Sequence, residues 1–249
     1  MIRIARIANL VGVLGMITVN ALANILPING YTTGELSALY PNLFVPAGFT
    51  FSIWSLIYLG LLAFGIYQLK AASETVDRIG PLFFLNALFN CGWILLWHHR
   101  MVVLSVFVML GLLITLILIY RRLEIGIRKV DPAVRWLIHA PFSLYLGWIS
   151  IATVANITAL LVAGGWQGWG LPANFWTAAM IFTAAMIGLF MLIRARDWIF
   201  SLVLLWAFFG IAYKRYFLDD AIYPVIYATL AFSAVMLISR MIRMRKELN

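Results

Sequence analysis

Charge is what this chain has least of. Asp, Glu, Lys and Arg together make 11% of its residues, where a soluble domain carries about 25%. With 64% hydrophobic residues and a mean hydropathy of +0.99, too little polar surface exists to cover a water-soluble fold. The expected class is an all-α polytopic membrane protein. Cysteine is nearly absent: Cys91 stands alone, which excludes an intrachain disulfide and a cysteine cluster for zinc or iron–sulfur. The histidines give no metal site either, because His98 and His99 are neighbours pointing about 100° apart on a helix, and His139 is alone. The nine acids all fall, by position, in loops or at helix ends. Ion-coupled pumps usually keep a carboxylate within the membrane, so that class loses its main marker. No phosphate-cradling glycine loop, no G-x-S-x-G and no H-E-x-x-H occurs.

What remains is long apolar runs. Eight spans read at about 5–27, 49–70, 80–98, 101–121, 133–163, 173–193, 198–214 and 221–240. Of the 18 Lys and Arg, 15 fall on one side of these spans, and only Arg100, Lys214 and Arg215 on the other. The positive-inside rule then places both termini in the cytoplasm; the expected membrane is an inner (plasma) membrane of bacterial type. The net charge of +9 reads as cytoplasmic loops facing anionic lipid, not as a nucleic-acid surface. Arg3 and Arg6 precede a long apolar run with no small-residue cleavage site, the pattern of a signal-anchor. The outer side holds a 28–48 loop, the His98-His99-Arg100 turn, the Gly164–Pro172 loop with Trp166 and Trp169, and Asp219-Asp220. At about twenty residues the 28–48 loop is long for a compact bundle, which fits a lid or a binding role. Lys214 and Arg215 are placed either to snorkel or to pair with Asp219 and Asp220.

The second span opens on Pro46-Ala47-Gly48, a turn signal, and is uncharged from Phe49 to Leu69. Within it Phe51, Trp54 and Tyr58 share one helix face. Such a stripe serves either to pack helices or to line a pocket for a flat apolar ligand. Amides form stripes as well: Asn9, Asn20 and Asn24 in the first span, then Asn86 and Asn90, continued by Trp93 and Trp97, in the third. Tyr145, Trp148, Ala152 and Asn156 make another in the fifth. Amides are costly in lipid unless paired, so these stripes face the bundle. Interhelical hydrogen bonding explains any one of them; a shared polar and aromatic cavity explains them together.

Pro46, Gly48 and Phe49, followed by Phe51, Trp54 and Tyr58, resemble the P-P-G-W turn and the following Phe, Trp and Tyr of the TspO/MBR family, the tryptophan-rich sensory or translocator proteins. Ala47 replaces the second proline and Phe49 the tryptophan. Leu85 to Trp93 resembles the family's third-helix LN-x-x-x-N-x-x-W, matched at Asn90 and Trp93. Trp148 to Asn156 resembles its fifth-helix W-x-x-F-A-x-x-L-N, with Ile151 and Ala155 in place of Phe and Leu. The family's proline four residues before that tryptophan is Leu144 here, and the nearest proline is Pro141.

The resemblance implies a five-helix bundle over residues 1–163, followed over 164–249 by three additional helices. For those, a cover, a homodimer contact, a docking site for a membrane-protein partner and part of a different pocket all stay open. It also implies a receptor or sensor that holds a planar hydrophobic ligand, a tetrapyrrole such as protoporphyrin IX or haem, or a sterol-like molecule. Trp54 and Trp148 are then the stacking walls, with Phe51, Tyr58 and Trp93 beside them. Asn90 and Asn156 reach the ligand's polar edges, and Ala152 leaves room for the ring. No cofactor or metal is required; the expected partners are the bilayer and the ligand. A small-molecule transporter or exporter, a regulatory membrane subunit, and light-dependent porphyrin degradation through Trp54 and Trp148 are the alternatives.

Overall fold

In lipid every backbone amide needs a partner within its own segment or in a closed sheet. The described residues of this chain meet that demand with helices and no strand. The computed structural model describes residues 2–70, 74–219 and 221–248. Its helices are α1 (Ile2–Ile25), α2 (Thr33–Ala38), α3 (Ile53–Lys70), α4 (Glu74–Ile79), α5 (Leu82–His98), α6 (Val102–Arg122), α7 (Pro132–Ala163), α8 (Ala173–Arg194), α9 (Trp198–Tyr213) and α10 (Pro224–Leu248). A 3₁₀ turn over Gly48–Ser52 leads into α3, and a π turn over Lys214–Leu218 prolongs α9.

With those extensions, seven helices among the described residues are long and apolar enough to cross a membrane, which makes this an integral membrane protein. The stretch expected at 80–98 is the exception. It is α5, with 17 residues and thus about 25 Å long, at the lower end of what spans a bilayer. Two short helices, α2 and α4, stand where the sequence reads only as loop.

Helix ends follow local chemistry. The Asp131 carboxylate accepts from Val134 N at 2.9 Å with Pro132 at the first helical position of α7, and Asp197 does the same for Phe200 N at 3.0 Å in α9. Pro141 has no N–H to give to the preceding turn, and α7 widens to a π turn over Arg135–His139 just before it.

The packing builds a ring. α1 lies on α3 and α5, α5 on α6, α6 on α7, and α7 back on α3. Down one half of the ring axis Phe64, Phe83 and Phe142, all fully buried, meet edge to face at 5.1–5.6 Å and fill it. At that end ion pairs join the connections: Arg6 to Asp77 at 2.7 Å, and Arg78 to Glu74 and Glu124 at 3.0 and 2.7 Å. Arg78 draws the Glu74 carboxyl below its usual range through a hydrogen bond.

Outside the ring α9 returns to pack along α7, and α8 and α10 pair beyond it. Gly147 permits the close approach, since a Cβ there would sit 3.0 Å from Val203. Asp197 is at a helix end, as expected, yet it is buried. It accepts from the Tyr120 hydroxyl at 2.8 Å, and burial raises its pKa above the usual carboxylate range. At the far end of α9 the Arg215 guanidinium is buried against Asp219 at 2.7 Å, so it pairs rather than snorkels. The other expected partner, Asp220, lies outside the described residues.

Candidate functional site

The half of the ring axis left open by the phenylalanines is filled by indoles. α3 runs toward the charged end while α5 and α7 run away from it, so Trp54, Trp93 and Trp148 arrive at one level. Tyr58, Trp54, Trp93 and Trp97 stack in a row, with centroid steps of 5.3, 6.5 and 6.0 Å and interplanar angles of 15–29°. Trp148 stands edge-on to Trp54 at 6.3 Å, and Phe51 edge-on to Trp148 at 5.8 Å. Between the row and α7 lies a slot of about 40 Å³. Phe51, Trp54, Trp93, Trp148, Ala152 and Asn156 line it, joined by Thr33, Ser37, Pro46, Trp97, Ile151 and Ala155.

Tyr58 and Asn90 lie behind this wall. The Asn90 amide donates to the Tyr145 hydroxyl at 2.9 Å, while its carbonyl oxygen accepts from Asn20 and from the Tyr58 hydroxyl at 3.3 and 3.4 Å. Asn156 does line the slot, but its oxygen accepts from Trp93 Nε1 at 3.0 Å and its amide donates to Ser105 Oγ at 3.0 Å. These two amides therefore spend their capacity on neighbouring helices. Asn9 and Asn86 do likewise, tying α1 to Gln68, Gly80 and Phe84, and α5 to Leu112 and Thr115. Unpartnered donors are found elsewhere: Trp97 Nε1 and Trp148 Nε1 are buried with no acceptor.

The 28–48 segment closes the slot. Thr32 and Glu35 form a capping box that starts α2: Glu35 N donates to Thr32 Oγ1 at 3.3 Å, and the Glu35 carboxylate accepts from Thr32 N at 2.7 Å. That backbone hydrogen bond holds the Glu35 carboxyl below its usual range. Thr33 then reaches α5, where His98 Nδ1 donates to Ile28 O at 3.2 Å and Nε2 accepts from the Thr33 hydroxyl at 3.1 Å. Asn29 donates to His98 O at 2.9 Å. Further along, Asn42 Oδ1 accepts from Phe44 N and Val45 N at 3.1 and 3.0 Å, and the Tyr40 ring covers Trp97 at 5.5 Å. The lid is shut and latched.

A space of 40 Å³ has room for about three water molecules, whereas drug-sized ligands occupy about 300–1,000 Å³. A tetrapyrrole fits these residues only with the lid swung out and the indole row parted. None of the lining side chains is a His, Cys or Met, so the walls offer ring faces, hydroxyls and N–H groups rather than an iron ligand. Both ring nitrogens of His98 are engaged, and among the described residues no cluster of three His, Cys, Asp or Glu is arranged for a metal.

Thr33, Ser37 and Pro46 reach the slot from the lid and its exit, which no helical periodicity connects to α5 or α7. Trp97 extends the Asn90–Trp93 stripe by one turn, a signal that was readable. A family model described as TSPO-like protein matches residues 6–242, running through the ring and on into α10. No curated protein and no solved structure matches the chain.

Proposed function

The chain belongs to the TSPO-like protein family, and from that membership and the indole slot we propose that it is a receptor- or sensor-type membrane protein for a planar hydrophobic ligand. A tetrapyrrole such as protoporphyrin IX is the leading candidate, and the latched arrangement is the closed form. The observation that carries this reading is the pair of buried, unpartnered indole N–H groups on Trp97 and Trp148 in the wall of an aromatic slot. A buried donor without an acceptor costs about 1–3 kcal/mol, a cost relieved by a flat ligand that presents acceptors at its rim. Trp54 and Trp148 supply faces and edges for its ring, each such aromatic contact contributing about 0.5–1.5 kcal/mol beyond burial. Metal-free porphyrin suits the walls better than haem, because no axial ligand lines them.

Titration with protoporphyrin IX, followed by quenching of tryptophan fluorescence, tests the reading. The expected result is saturable binding, weakened more than about tenfold in Trp54→Ala/Trp148→Ala, as the loss of two such contacts gives. Unchanged quenching in a folded double variant would overturn it.

A further inference from the structure

The segment Pro46–Phe51 forms the slot's rim, since both of its end residues line the cavity. What holds this segment is not the ring alone. Ala47 N donates to Gly210 O on α9 at 3.1 Å, and Trp206 Nε1 donates to Thr50 O at 2.9 Å. The Phe49 ring sits among Trp206, Phe209 and Tyr213 at 5.7, 5.9 and 5.2 Å. Gly210 has no side chain where one would strike Thr50 Oγ1 and lie 3.0 Å from Pro46 Cβ. Thr50 Oγ1 is itself fully buried and makes no hydrogen bond, so its place there is one of shape. Backbone polar groups at a helix start need outside partners, and lipid supplies none.

We infer that α9 sets the position of the rim, with Trp206 and Gly210 as positioning residues. α9 then supports the binding site from outside the ring, and its displacement changes what the slot admits. The ligand arm of the test rests on the function proposed above; a second arm does not.

Four proteins decide it: the otherwise unaltered chain, Gly210→Ala, Thr50→Ala and Gly210→Ala/Thr50→Ala. All carry Cys91→Ser and Val45→Cys, which places one thiol at a buried position beside the rim. Gly210→Ala is expected to speed N-ethylmaleimide labelling of that thiol and to weaken protoporphyrin IX binding. Each change should be about fivefold or more, as loss of one buried hydrogen bond gives. The double variant, with the colliding hydroxyl and methyl removed and only the 3.0 Å approach to Pro46 Cβ left, recovers most of the way to the behaviour of Thr50→Ala. A general packing defect is not rescued in this way. Labelling and affinity that ignore Gly210→Ala, or a double variant no better than the single, would overturn the inference. If Gly210→Ala does not fold, Trp206→Phe keeps an aromatic ring beside Phe49 while removing the N–H bonded to Thr50 O; its labelling must rise by the same criterion, and an unchanged rate refutes the inference. If the unaltered protein fails to bind protoporphyrin, the ligand class is wrong and the labelling arm still decides the role of α9.

Discussion

Glu35 is exposed, and its carboxylate closes the first turn of α2 by accepting from Thr32 N and Thr32 Oγ1. Its pKa is lowered in the fold, so the stabilisation is present above the ordinary carboxylate value and is lost as pH falls through the lowered one. Hydrogen exchange over residues 35–39 should therefore be slower at neutral pH than in Glu35→Gln, with the difference vanishing in acid. Equal exchange at neutral pH would remove Glu35 from the latch. At this scale the indoles were more legible than the amides. Trp54, Trp93 and Trp148 recur on apolar faces and had to meet inside a bundle. Asn90 and Asn156 also had to face inward, but an inward amide bonds a neighbour or a ligand equally well from the sequence's point of view. Only the positions of Tyr145, Trp93 and Ser105 show which partners these two take.

The lid is the element whose motion matters for entry. Its latch is Thr33 on His98, and Thr33→Val keeps the shape while removing the hydroxyl. Stopped-flow quenching should show protoporphyrin IX associating about fivefold faster, the effect of one lost hydrogen bond on lid opening. An unchanged association rate would mean that the slot is entered another way. Helix α2 was legible in principle, because Thr32-x-x-Glu35 is a capping-box pattern, but six residues carry too little periodicity to separate a helix from a loop. Helix α4 was hidden for the same reason. The long spans were legible throughout, since an uninterrupted apolar run in a chain this poor in charge has one stable backbone solution.

Across the whole molecule the ring and the C-terminal helices differ in how far they could be foreseen. Apolar faces that meet lipid and those that meet protein have similar composition, so nothing in 173–249 announced that α9 would lie on α7 and on the rim. From charge sorting we propose an orientation with both termini in the cytoplasm: reporter fusions after residues 75, 125 and 249 are expected to read cytoplasmic, and an outside reading at 249 would break the eight-span order. With that orientation the phenylalanine-filled half of the ring is the cytoplasmic half. Phe64, Phe83 and Phe142 close that side of the slot, and the lid covers the other. On the function and orientation proposed, a molecule held there exchanges with the compartment beyond the lid, and its occupancy follows the concentration on that side. Carriage across would require three interlocked rings to part. On the proposed function the architecture is a cul-de-sac, suited to reporting on what lies beyond the lid.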